Sequence, residues 1–112
     1  MTDQEKLNKI KEIILDECKK EGVCVERIIL FGSRARGDNR EGSDFDIYVV
    51  VEDIEFSKLR ELYGNIQWAV VDIEPEVDLV VRTKKNFEEN SKSVGFISYY
   101  VKKEGKSLWM RE

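Results

Sequence analysis

The stretch from Asp44 to Val51, Asp-Phe-Asp-Ile-Tyr-Val-Val-Val, limits what this chain can fold into more than any other. After its two acids every residue is apolar or aromatic, and most of them are β-branched. A strand that is apolar on both faces is stable only in the middle of a sheet covered on both sides. The flanking sequence supplies the cover. Leu7, Ile10, Ile14 and Cys18 recur at helical spacing, and Ile13 widens the stripe. Thr2 with Glu5 three residues on makes a capping box, and Gly22 marks the stop. Arg27–Phe31 reads as a short buried strand ending at Gly32. The polar stretch from Ser33 to Ser43 reads as a loop with one short helical turn. A second helix, capped by Ser57, would carry Leu59, Leu62, Tyr63 and Ile66. Gly64 within it costs about 1 kcal/mol relative to alanine. Pro75 punctuates the chain before a third strand, Val77–Val81. A last helix over Val94–Lys103 would present Val94, Ile97 and Val101 on one face and end at Gly105. The expected order is α-β-β-α-β-α with a helical turn after the first strand. That is an α/β (α+β) fold in one domain, residues 1–112.

Composition narrows the function classes. The formal net charge of −4 counts against nonspecific binding of a nucleic-acid backbone. There is no histidine, which removes serine–histidine and cysteine–histidine catalysis and any histidine-ligated zinc. No stretch approaches the ~18 apolar residues of a membrane span. The first residues, Met-Thr-Asp-Gln-Glu-Lys, lack the apolar run of a secretory leader, so the expected location is cytoplasmic. Cys18 and Cys24 then read as a core thiol and a loop thiol rather than a disulfide.

The chemistry is concentrated between Gly32 and Val50. Residues i and i+2 of a strand share a face, so Asp44 and Asp46 present neighbouring carboxylates. At about 6–7 Å apart along a strand they repel each other unless a cation lies between them. Oxygen ligands without histidine or thiolate favour magnesium or manganese. An isolated Asp-x-Asp is more often a solvated strand start. The segment before it changes that balance. Gly32 and Ser33 directly follow a buried strand, where a small residue lets backbone N–H groups approach a phosphate. Arg34 and Arg36 add guanidinium groups that can bond phosphate oxygens. Asp78 opens an aliphatic strand, where a carboxylate is costly without a partner. Asp72 is its competitor, but Ile73 and Glu74 after it form no apolar run.

These residues resemble the signature of the DNA polymerase beta-like nucleotidyltransferase superfamily in its shortest form, the minimal nucleotidyltransferase. The pattern is Gly-Ser, ten residues, then Asp-x-Asp, met by Gly32, Ser33, Asp44 and Asp46. Ala35, Gly37 and Ser43 meet its commoner elaboration. The resemblance implies a mixed β-sheet flanked by helices and transfer of a nucleoside monophosphate with two Mg2+ or Mn2+ ions. Asp44 and Asp46 would ligate both ions and Asp78 the catalytic one. Gly32 and Ser33 would hold the triphosphate. Such domains resemble the antitoxin of HEPN/MNT toxin–antitoxin pairs, which implies AMP transfer from ATP to a tyrosine hydroxyl of a small helical HEPN-type partner protein. Transfer to a small hydroxylated molecule and neutralisation of a partner by contact alone are the competing readings. A second copy of the chain is another way to complete the acceptor surface.

Overall fold

The computed structural model describes every residue except Pro75, so the expected break there lies outside the described residues. Its elements are α1 (Asp3–Lys20), β1 (Val25–Phe31), α2 (Gly32–Arg36), β2 (Phe45–Val51), α3 (Phe56–Val70), β3 (Val77–Thr83), α4 (Lys84–Asn90), α5 (Ile97–Glu104) and β4 (Lys106–Met110). The four strands form one mixed sheet in the order β3-β2-β1-β4. β1 runs antiparallel to both its neighbours, and β2 runs parallel to β3. The expected central strand is β2. All of its residues but Asp46 are buried, as its two-sided apolar sequence requires.

Strand alternation divides those residues between two layers. Phe45, Ile47, Val49 and Val51 join Ile28 and Leu30 of β1 in a large core with Leu7, Ile10, Ile14 and Cys18 of α1 and Leu62, Ile66 and Val70 of α3. Tyr48 and Val50 face the other way, with Ile29 and Phe31, onto Phe87 of α4 and Val101 of α5. The stripe that identifies α1 in the sequence is the set of residues it buries. Both hydrogen bonds of the Thr2–Glu5 capping box are present, and Gly22 takes the positive φ expected just past a helix end.

Several expectations need correction. Ser57 does not cap α3; Glu55 occupies that position without a side-chain bond, and Phe56 already lies in the helix. Tyr63 is 42% exposed, because the face that packs on the sheet runs through Leu62, Ile66 and Val70. The last helix starts at Ile97. Val94 lies in the preceding turn, 60% exposed, and α5 buries Ser98 and Val101 instead of an aliphatic stripe. Gly105 does end α5, but at negative φ; a Cβ there would collide with Ile29 and the Val101 carbonyl. The helical turn after β1 is α2. Two elements were not expected: α4, and β4 along the outer edge of β1.

Cys18 and Cys24 are free thiols, the first buried and the second exposed. Burial, with smaller contributions from Glu17 and Glu21, pushes the Cys18 thiol up to about 12. Thiolate is the reactive form. A thiol reagent at neutral pH is therefore expected to modify Cys24 in the native protein and Cys18 only after denaturation. Two fast equivalents from the native chain would contradict this core. No described helix is long and apolar enough to cross a membrane.

Candidate functional site

Three strand ends converge at one corner of the sheet. β1 finishes at Phe31, which pairs with Asp46 near the start of β2. The parallel register of β3 places Asp78 directly beside Asp46. Neighbouring strands lie about 4.8 Å apart, so the two side chains leave the same face from adjacent positions. Asp44 precedes β2 by one residue and is exposed, as is Asp78, whereas Asp46 is half-buried. Burial, then the charges of Asp78 and Asp44, hold the Asp46 carboxyl above its ordinary value, against smaller opposing effects of Arg36 and Arg34.

Gly32 closes this corner from the other side. It has φ +72°, and a Cβ built on it would overlap the Asp46 carboxylate. Only a glycine lets the turn out of β1 lie against that acid. α2 begins there with no side-chain cap, and Gly37 at φ +84° ends it. The Ser33 carbonyl accepts from the N–H groups of Gly37 and Asp38 at 2.9 and 3.1 Å. Its hydroxyl makes no hydrogen bond among the described residues.

The two arginines are placed differently. The Arg34 side chain is only 12% exposed. It donates to the Ser43 carbonyl and to Asp3, both at 2.9 Å, and its guanidinium carbon lies 3.9 Å from the centre of the Phe45 ring. It thereby holds the loop between α2 and β2 against α1. Arg36 is more open and reaches Asp38 at 3.2 Å and Glu104 of α5 at 3.7 Å.

Among the described residues no three carboxylates or thiols stand close enough to form a ready-made metal cage. The donor set still suits a hard cation. Asp46 and Asp78 are adjacent, Asp44 stands at the rim, and magnesium ordinarily takes one or two carboxylates and fills its shell with phosphate oxygens and water. Burial is the main cause of the raised Asp46 carboxyl; the smaller part, due to Asp78 and Asp44, is repulsion of the kind a cation relieves.

Residues 8–105 match the family model described as a nucleotidyltransferase domain. The chain belongs to the nucleotidyltransferase domain family. A relative from Methanocaldococcus jannaschii, "Putative protein adenylyltransferase MJ1379", is 33% identical, with 75% of this chain and 93% of the relative aligned. Among solved structures, a putative nucleotidyltransferase from Sulfolobus solfataricus superposes with a TM-score of 0.63 at 24% identity, covering 96% of this chain and 82% of that one. A toxin–antitoxin structure with AMP-PNP superposes with a TM-score of 0.56 at 24% identity, over 90% of this chain and 73% of the other. Both are likenesses of fold.

In this nucleotidyltransferase domain the structure thus brings Gly32, Ser33, Asp44, Asp46 and Asp78 to one corner, with Arg36 near it and Arg34 committed to the loop. One supporting residue escaped the sequence reading. Tyr48 lies two residues beyond Asp46 on the same face, between the rings of Phe31 and Phe87, with centroids 6.2 and 5.4 Å away. Its hydroxyl meets Ser98 of α5 at 2.6 Å in a buried contact. The spacing from Asp46 was a signal for Tyr48; nothing in the sequence marked Ser98.

Proposed function

We propose that this nucleotidyltransferase domain moves AMP from ATP to a hydroxyl on a partner protein. The observation that carries the reading is the contact of the Gly32 backbone with Asp46, with Asp78 in register beside it. That corner joins a glycine turn to a set of carboxylates. The name of the M. jannaschii relative supports AMP and a protein acceptor. The fold shared with a toxin–antitoxin structure supports a protein partner, and the resemblance of the Gly32–Asp46 signature makes that partner a small helical protein of the HEPN type.

Gly32 and Ser33 would offer backbone N–H groups and a hydroxyl to the β/γ end of the triphosphate. Asp44 and Asp46 would hold two magnesium or manganese ions, and Asp78 one of them. When bound, the ions neutralise charge on the attacking and leaving oxygens and make the acceptor hydroxyl more acidic. The chain itself contributes placement. The acceptor oxygen bonds to the α-phosphorus as the bond to the pyrophosphate oxygen breaks, and pyrophosphate leaves with that electron pair. Asp78 is exposed, so it can take the hydroxyl proton.

Positioning accounts for ~7–11 kcal/mol of such barriers, and in this reading the docking of the partner protein supplies it. The chain alone is therefore expected to be nearly inert. Mixed with ATP, magnesium and a helical protein encoded beside it, it should add the mass of one AMP residue to a tyrosine of that protein. Tight association with no mass gain under any triphosphate would replace this reading with neutralisation by contact. Efficient transfer to a free aminosugar by the chain alone would replace the protein acceptor with a small molecule.

A further inference from the structure

The sheet has two edges, and they differ. β4 is five residues long, begins with an exposed lysine, and pairs with β1 through a register shift between Ile28 and Ile29. Shortness, charge and irregularity are the usual means of blunting an edge. β3 is longer and regular: its seven residues pair with β2 in unbroken register, and its charges are Asp78 and Arg82. Its outward backbone is open. The Arg82 guanidinium donates to the Val81 carbonyl at 2.9 Å, a bond a carbonyl makes where no neighbouring strand supplies an N–H.

The side chains on this edge are symmetric. Val80 is the midpoint of β3, with Asp78 two residues before it and Arg82 two residues after, all three on one face. Antiparallel pairing with a second copy, centred on Val80, would use the whole strand: Val77 against Thr83, Asp78 against Arg82, Leu79 against Val81. Both charge pairs would then be of opposite sign. Pairing centred on Asp78 or Arg82 would set like charges face to face, and pairing centred on Leu79 or Val81 would set a charge against Val80. Charged residues on an edge strand normally discourage association; this arrangement discourages all of these registers but one.

α3 adds a second strip to the same edge. Phe56, 71% exposed, and Tyr63 flank Arg60, and with Leu79, Val80, Val81 and Arg82 they line a groove of about 520 Å³. A two-fold axis through Val80 would lay the same strip of a second copy over it, so the patch would cover itself.

We propose that two copies of this chain associate through β3, antiparallel about Val80, so that Arg82 of each copy stands against Asp78 of the other. Each transfer site would then contain a guanidinium from the second copy, able to bond Asp78 or a phosphate oxygen. That use of Arg82 rests on the transfer reading; the association does not. Gly32 and Asp44 lie at the strand ends, away from the pairing edge, so their approach stays open.

Sedimentation without nucleotide tests the pairing independently of transfer. The wild type is expected at twice the 13.1 kDa chain mass. Arg82→Glu alone and Asp78→Lys alone should each sediment as single chains, because each puts like charges opposite. An equal mixture of the two should recover the dimer, since both pairs are then complementary. A monomeric wild type, dimeric single variants or a monomeric mixture would overturn the proposal. If either variant fails to fold by circular dichroism, Val80→Cys in a Cys24→Ser background decides: oxidation should join two chains through position 80, and absence of the covalent dimer would overturn the pairing.

Discussion

Asp46→Asn should remove transfer while leaving a folded and more stable chain. The substitution keeps the shape of the side chain and deletes a charge at the centre of the acid cluster. Losing a charge clamp of several kcal/mol corresponds to about a thousandfold or more in rate. The stability effect follows from the sign of the Asp46 shift. Its folded carboxyl lies above its ordinary value, chiefly through burial and then through Asp78 and Asp44. For a group raised in this way, protonation favours the fold; that contribution is present below the unfolded value and is lost as pH rises through the folded one. At neutral pH ionised Asp46 is a cost, so in metal-free buffer Asp46→Asn should melt above the wild type. The gap should close as the pH is lowered through the folded-state value. A variant that melts lower at neutral pH, or transfers at the wild-type rate, would refute the role given to this carboxylate.

Gly32→Ala should be nearly as damaging through a different route. Forcing a side chain into φ +72° costs roughly 1–3 kcal/mol. The added methyl must also displace the Asp46 carboxylate or the turn itself. A shift of about 1 Å at a reacting centre can cost on the order of a hundredfold in rate. The expected outcome is a lower melting temperature together with loss of triphosphate binding measured by calorimetry. Gly37→Ala is the control. Gly37 also has positive φ, at +84°, but nothing lies within contact of its missing Cβ. It should lose stability and retain most triphosphate binding. Equal binding losses in the two variants would mean that backbone strain, and not the Gly32–Asp46 contact, governs the site.

What the sequence revealed and what it hid have a common cause. β2 was legible because seven residues must satisfy burial on two faces at once, which few other sequences do. α1 was legible because its buried residues repeat with the helical period and its cap is written in Thr2 and Glu5. α4 was not, because it buries one side chain, Phe87, and a single contact has no period. β4 was not, because its residues are exposed or only half-buried and its place depends on the free edge of a strand about 80 residues earlier. The corner itself was readable in Gly32, Ser33, Asp44 and Asp46, since those residues are close in the chain. That Asp78 lies beside Asp46 required the parallel register, which no local pattern states. The fate of Arg34 was equally hidden: Asp3 and Phe45 compete for the guanidinium, and only the packed structure brings them to it.

The two layers under this sheet are unequal, and the inequality bears on how the molecule opens. One face rests α1 and α3 on a broad aliphatic core, while α4 and α5 rest on a small cluster around Tyr48 and Phe87. Local opening free energies follow such differences in buried contact. Hydrogen exchange is therefore expected to be faster at the amides of α4 and α5 than at those of α1 and α3. Asp46 and Asp78 project on that thin side but grow from strands anchored in the thick one. If α4 and α5 open first, the acids should keep their backbone register, because β2 and β3 are held by the thicker layer.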